Sequence, residues 1–352
     1  MENEIIIFIN VWIQVMVYLY YCHVIGQTVP KGLRRLWAIL PIVFLFLILP
    51  FRIHNLHFGG FFVFFISWLA NFKLLLFAFG KGPLSDSSLS LKHFVCLASI
   101  PIKVNSRTKT ALPLHKFLLN YITKGLTLGA VLTSYKFSDQ IPTIIINSFY
   151  CIHIYIILDL ILTMVSALVQ TLLGVQSDTH FNQPYLASSL QDFWGRRWNL
   201  SVNHILRLSV FKPTQEIAMR VFGPQNAALL AVFVTFVVSG LVHEFIFCYL
   251  GRARPTWEIM LFFVLHGLCI LIELSLKKKL PPRFLLPGVV SGPLTLGFIM
   301  LTAYWLFFPQ LLRCNGDQKA LQEIEAGAAL IKKATLTLAF WLHALYSTLI
   351  HS

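Results

Sequence analysis

His243 stands in an apolar run from Ala227 to Leu250, AALLAVFVTFVVSGLVHEFIFCYL. An ionisable side chain at membrane depth is costly and calls for a partner or a task, so this histidine is the first candidate for chemistry. The bland alternative is a helix-end histidine hydrogen-bonded inside a bundle. Upstream lies a segment of different character, SSLQDFWGRRWNLSVNHILRLSVFKPTQEIAMRVFGP, where Trp194, Arg196, Arg197, Trp198, Asn199 and Asn203 crowd together. Arg196, Asn199, Asn203 and Arg207 recur at i, i+3, i+7 and i+11, one polar stripe of a helix. Phe193, Trp194, Trp198, Val202, Ile205 and Leu206 form the apolar side. Such a helix lies at a membrane surface, as an anchor if it does nothing more. Asparagine is a poor helix former, and two of them in the stripe point to positioned hydrogen bonds. An imidazole with an ordinary pKa of about 6.5 can take the proton of an attacking hydroxyl. A side-chain amide can hold that hydroxyl or donate to a developing oxyanion.

The other polar groups of the apolar runs read mostly as structural. Ser239 lies one turn before His243 on the same face, where backbone capping competes with a substrate contact. Glu244 projects about 100° away and pairs with another helix. His266 and Glu273 lie near one face of the next run and are expected to pair. Lys73 and Asp159 are expected to neutralise each other or to snorkel. Cys248 is on a different face from His243, which argues against an acyl-cysteine intermediate. Residues 288–292 read GVVSG, one place off a nucleophile elbow. His243-Glu244 is followed by Phe247 where a zinc protease needs histidine. The HNLH stretch at 54–57 has no further ligands nearby, and no Walker A, dinucleotide or H-H-x-x-x-D pattern occurs. Six cysteines without a C-x-x-C predict small buried side chains, with neither a disulfide framework nor a metal site.

The elements that must position these residues follow from composition. The 352 residues are 57% hydrophobic and 12% charged, about half the usual charge, with a mean hydropathy of +0.73. Unbroken apolarity predicts an all-α polytopic membrane protein rather than a barrel. Nine or so spans are expected: Glu4–Ile25, Leu36–Pro50, Gly60–Phe79, Phe117–Ser134, Ile141–Leu173, Ala227–Leu250, Trp257–Leu276, Phe284–Phe308 and Ala334–Ile350. The chain reads as a single membrane-embedded domain over 1–352, with two hydrophilic interruptions, 80–116 and 174–226. In the second, Ser188 or Ser189 is expected to cap a helix that Pro213 ends. The acidic amino-terminal residues Glu2 and Glu4 run straight into a span, the pattern of a signal anchor. The net charge of +14 does not imply nucleic acid, because in a membrane protein the placement of Lys and Arg matters more than the sum. Eighteen of the 28 fall in 26–35, 80–116, 174–226 and 277–283, which single crossings put on one, cytosolic face with the amino terminus lumenal.

A membrane histidine, a nearby Asn/Arg/Trp helix and a basic cytosolic face suit acyl transfer from acyl-CoA to a hydroxyl. The thioester is already activated, so no covalent enzyme intermediate is needed, and CoA phosphates favour Arg and Lys. The motifs QDFWGRRWN at 191–199 and SGLVHE at 239–244 resemble the membrane-bound O-acyltransferase (MBOAT) superfamily. WLANFKLLLFAFGKGPLS at 68–85 and IPIK at 100–103 resemble its plant wax synthase branch, long-chain-alcohol O-fatty-acyltransferases. The resemblance implies a helical bundle of about eight to nine spans with an interfacial amphipathic helix and an internal tunnel. It implies catalytic His243 and Asn199, with His243 as base and Asn199 orienting or polarising the reacting groups. Trp194, Arg196, Arg197, Trp198, Asn203 and Ser239 become candidate substrate contacts. It implies acyl-CoA as co-substrate, no bound cofactor or metal, and a long-chain fatty alcohol drawn from the bilayer as acceptor. Diacylglycerol and sterol acceptors remain open within the same branch, and a non-enzymatic lipid transporter is the alternative from another class. The expected location is the endoplasmic reticulum membrane.

Overall fold

The computed structural model describes residues 2–100, 114–174, 179–281 and 286–350. Most of the IPIK motif, the middle of the 80–116 segment, and residues 284 and 285 of one expected span lie outside the described residues. Among those described, every regular element is a helix. They are α1 (Glu2–Thr28), α2 (Leu33–Ile48), α3 (Leu56–Ala78), α4 (Leu91–Ser99), α5 (Leu114–Ser134) and α6 (Thr143–Leu173). A short α7 follows, Leu190–Asp192 running into a π turn Phe193–Arg197, then α8 (Leu200–Gly251), α9 (Glu258–Lys279), α10 (Gly288–Arg313) and α11 (Gly316–Ile350).

Seven of these, α1, α2, α3, α6, α8, α9 and α10, are long and apolar enough to cross a membrane. The two remaining expected spans fall on α5 and on the second half of α11. Both are helical, and α5 carries Asn120, Thr123, Lys124 and Thr127 among its apolar residues.

The loops sort into two ends. At one, Glu4 accepts from the backbone of His54 and Asn55, Arg252 donates to Phe51 and Ile53 carbonyls, and Arg313 pairs with Glu258. At the other, Arg35 donates to the carbonyls of Gly26 and Val29, and Lys277 reaches Ser189 and Gln191. This division is the one that the basic residues predict.

Phe46, Phe62, Ile66, Leu69 and Leu74 pack α2 and α3 into one apolar core, and Ile246, Phe262, Phe263 and Phe308 form a second around α8–α10. Buried charges are handled differently from the sequence expectation. Lys73 is fully buried and donates to the carbonyls of Leu97 (2.6 Å) and Ile100 (2.5 Å), closing the end of α4. Asp159 pairs instead with Lys124 of α5. Each charge therefore finds a local partner on a helix packed against its own.

The polar segment also departs from a single surface helix. Ser189 caps α7 as expected, its Oγ accepting from Asp192 N at 3.2 Å. The helix then breaks: Trp198 is extended and Asn199 is left-handed (φ 38°, ψ 66°). The i, i+3, i+7, i+11 stripe is cut in two, because the Asn199 amide satisfies the backbone of the next helix start in place of a helical bond. Pro213 does not end α8. A π turn over Arg207–Phe211 precedes it, and the real break comes at Gly223 (φ 73°, ψ 168°). Pro224 bars the helical conformation at the residue before it, and glycine alone adopts this one freely.

Candidate active site

His243 sits on α8 with its Nδ1 2.7 Å from the carbonyl oxygen of Ser239. A carbonyl only accepts, so Nδ1 carries the proton in the neutral ring and Nε2 presents its lone pair. The ring lies against Phe263 (centroids 4.4 Å apart), Trp68 (5.8 Å) and Phe307 (6.5 Å), from three other helices, and it remains partly accessible. That gives a histidine oriented from behind through Nδ1 and flanked by aromatic rings, with Nε2 as the nitrogen left for a proton. Two small cavities, one lined by Leu56, Phe247 and Gln310 and the other by His54, Asn55 and Tyr249, do not reach it.

Asn199 is buried at the start of the α8 helix, where its Oδ1 accepts from Val202 N at 3.3 Å. That bond orients the amide, and its Nδ2 donates to none of the described residues. Neither Asn199 nor His243 hydrogen-bonds the other. What joins their segments is aromatic. Trp194 packs against Phe263 (5.7 Å), the ring that also covers His243, and against Phe236 (5.9 Å), Phe262 (6.3 Å) and His266 (5.7 Å). The segment expected on the surface thus drives one tryptophan between α8 and α9. Trp198 continues the aromatic cluster outward, edge-on to Trp194 at 6.3 Å, stacked on Phe193 at 5.3 Å and edge-on to Phe181 at 5.1 Å.

The other candidates divide between scaffold and free groups. Arg197 donates to Asp192 Oδ2 (2.6 Å) and to the carbonyls of Asn182 and Gln183, holding the loop before α7. Asn203 donates to the carbonyls of Trp194 and Gly195, both at 3.0 Å, and so ends α7. Ser239 contributes its main-chain carbonyl to His243. Arg196 is exposed and makes no ion pair among the described residues.

Glu244 pairs with the next helix as its direction on α8 predicts: it accepts from Thr256 N, Trp257 N and Met260 N, capping α9. His266 and Glu273 do not pair. Glu273 meets Gln191 N and Lys277, and His266 meets Thr302 of α10 at 3.0 Å. Seven residues apart, the two share a face but stand about 10 Å apart along the helix axis, so they address different neighbours.

His180 was not legible as a site residue, because nothing in its local pattern marks it. Its carbonyl accepts from Leu200 N at 2.8 Å, and its ring bridges Ser166 (2.7 Å) and Ser201 (2.9 Å), pinning α6 to the Asn199 turn. Burial pushes its pKa below the ordinary value, with Asp159 acting the other way, so it serves as a neutral two-ended clamp. Trp68 and Phe263, which enclose the base, were equally invisible among other aromatics of the spans.

These features define a multi-pass helical membrane protein with a partly accessible, backbone-oriented histidine that aromatic rings connect to an Asn/Trp/Arg turn. The sequence profile of the Membrane bound O-acyl transferase family matches residues 177–265, which hold both motifs. An acyl-CoA–sterol O-acyltransferase of Arabidopsis thaliana is 44% identical over 91% of this chain and 94% of its own length. A probable long-chain-alcohol O-fatty-acyltransferase of the same plant is 43% identical over 92% and 96%. The long-chain-alcohol O-fatty-acyltransferase of Simmondsia chinensis is 40% identical over 97% and 99%. The chain belongs to the membrane bound O-acyl transferase family and is an acyltransferase, which sets aside the transporter alternative.

Proposed function

We propose that the protein is a wax synthase of the endoplasmic reticulum membrane, joining a fatty acyl group from acyl-CoA to a long-chain fatty alcohol within one membrane-embedded domain. The observation that carries the mechanism is the 2.7 Å bond from His243 Nδ1 to the Ser239 carbonyl, which leaves Nε2 as the available base. The alcohol proton passes to Nε2 as its oxygen attacks the thioester carbon. The free Nδ2 of Asn199 is suited to donate to the carbonyl oxygen as charge develops there. Collapse expels the CoA thiolate, which takes the proton back from Nε2, so ester and free CoA leave with the histidine restored. No metal or bound cofactor enters these steps. Arg196 and Arg207, both exposed, are placed in the basic segment suited to CoA phosphates. An acyl chain brought to His243 would lie against the rings of Trp68, Phe263 and Phe307 that flank it.

The acceptor assignment rests on the relatives named for long-chain alcohols. A sterol acceptor is the second reading, favoured by the 44% identity to the sterol O-acyltransferase. The discriminating assay uses membranes of a yeast strain lacking its own neutral-lipid acyltransferases, fed labelled palmitoyl-CoA or acetyl-CoA with hexadecanol, diacylglycerol or sterol. Wax ester that disappears in an equally abundant His243→Ala protein is the expected result. Label in sterol ester or acetylated glyceride instead would replace the acceptor and keep the chemistry. Unchanged ester formation by His243→Ala would remove the base.

A further inference from the structure

Among the described residues only a few buried polar side-chain atoms lack a hydrogen-bond partner, and two of them, Trp194 Nε1 and His266 Nδ1, belong to rings with centroids 5.7 Å apart. Their characters are opposite. The indole Nε1–H can only donate. On the histidine, Nε2 lies 3.0 Å from Thr302 Oγ1, whose own proton goes to the Phe298 carbonyl at 2.8 Å. The threonine oxygen therefore accepts from Nε2–H, and Nδ1 is left as a bare lone pair on a ring with 0% exposure. Buried polar groups are nearly always satisfied, and leaving one unmade costs about 1–3 kcal/mol. A donor and an acceptor left open on two packed rings can both be met by a single hydroxyl, which accepts and donates through the same oxygen.

We propose that Trp194 Nε1 and His266 Nδ1 form a docking subsite for the hydroxyl of the acceptor alcohol, on its way to His243. The inference rests on the proposed acyl-CoA:alcohol chemistry and extends it to residues outside that mechanism. An alcohol that leaves the bilayer surface for an apolar bundle loses its water partners, and this pair replaces them. The pair stands one ring, Phe263, from the base: Phe263 lies 5.7 Å from Trp194 and 4.4 Å from His243. Because the hydroxyl is held before reaction, the pair lowers the KM for alcohol without raising kcat. A resident water is the other source of such a hydroxyl, and the variants separate the two.

His266→Gln places an amide nitrogen where ring Nε2 stood, keeping the Thr302 bond and losing the acceptor. His266→Asn places an amide oxygen where Nδ1 stood and loses the Thr302 bond. Trp194→Phe keeps a ring and removes the donor. With full-length protein in yeast membranes, at saturating palmitoyl-CoA, His266→Gln and Trp194→Phe are expected to raise the KM for hexadecanol about tenfold or more. Their KM for palmitoyl-CoA stays unchanged, and His266→Asn keeps a hexadecanol KM near that of the wild type. If sterol proves the acceptor, the same comparison is made with sterol. An unchanged alcohol KM in Trp194→Phe and His266→Gln, with lower thermal stability alone, identifies a structural water and overturns the proposal. So does an equal rise for both substrates, or an Asn variant as impaired as Gln. Loss of activity in His243→Ala with no KM change in these variants would sink this inference and leave the base intact. Full activity in His243→Ala would instead strike at the reaction chemistry itself.

Discussion

At His243 the useful partner is a main-chain atom. Because the Ser239 carbonyl, not its hydroxyl, receives Nδ1–H, Ser239→Ala is expected to retain kcat within about twofold, whereas His243→Ala loses on the order of 10²–10⁴. Parallel kinetics at matched protein levels check both; a large loss in Ser239→Ala would show that the hydroxyl takes part. Asn199 is harder to probe, since it has three jobs: a left-handed backbone (φ 38°), the cap on Val202 N, and a free Nδ2. Asn199→Ala strains the first and removes the other two. Asn199→Gly keeps the backbone at ease, and glycine costs only tenths of a kcal/mol at a cap position. It is therefore expected to fold at near-normal abundance while kcat falls about 10²–10³. A kcat within a few-fold of wild type would restrict Asn199 to capping. His243 was identifiable from sequence because an ionisable group among aliphatics is anomalous on its own. Trp68 and Phe263 were not, since in a chain with 31 phenylalanines and eight tryptophans no single ring stands out.

At the scale of elements, the α8–α9 pair carries the base, and Glu244 fixes its geometry. The carboxylate, 1% exposed, accepts from three backbone N–H groups at the start of α9. Glu244→Ala leaves those donors buried and unmet, a destabilisation of about 1–3 kcal/mol. Thermal inactivation in detergent should shift downward, with both KM values unchanged in the protein that remains folded. An altered KM with normal stability would mean that Glu244 faces substrate. Sequence placed this glutamate on the correct side of the helix, since one residue step is about 100°. The stripe argument failed for a related reason: periodicity assumes a continuous helix, and Asn199 interrupts it with a side-chain bond that competes with the helical one. The two prolines differ in what precedes them: glycine before Pro224 allows the turn, whereas Pro213, after Lys212, is absorbed behind a π turn that only the structure shows.

Across the whole molecule, a late helix closes onto an early loop. Glu323 of α11 accepts from Leu56 N (2.6 Å) and His57 N (3.0 Å) and pairs with the His57 ring (2.7 Å). Burial raises the Glu323 carboxyl, but the His57 ring and the two N–H groups outweigh it and hold the pKa below the ordinary value. A carboxyl depressed on folding contributes stability above its unfolded value, about 4.3, and loses it as pH falls through the folded one. Glu323→Gln should therefore be less stable than wild type at neutral pH, and the gap should close in acid below about pH 4. Melting in detergent from pH 7 to 3.5 checks this; a gap independent of pH would mean the carboxylate charge plays no part. The HNLH stretch, which has no further ligands nearby in the sequence, is the receiving end of this clamp.

Sequence by itself determined the membrane class, the family and the two motifs, because each depends on composition, run length or local order of residues. Sequence also separated the two ends of the bundle, since the distribution of Lys and Arg is a property of loops read one at a time. Tertiary structure alone decided which polar atoms meet. Lys73 found the end of α4 rather than Asp159, and His266 found Thr302 rather than Glu273. Trp194 left the surface for the space between α8 and α9. The reason is physical: a buried polar group takes whichever partner the packing of non-neighbouring helices brings within about 3 Å, and no spacing along one helix encodes that distance.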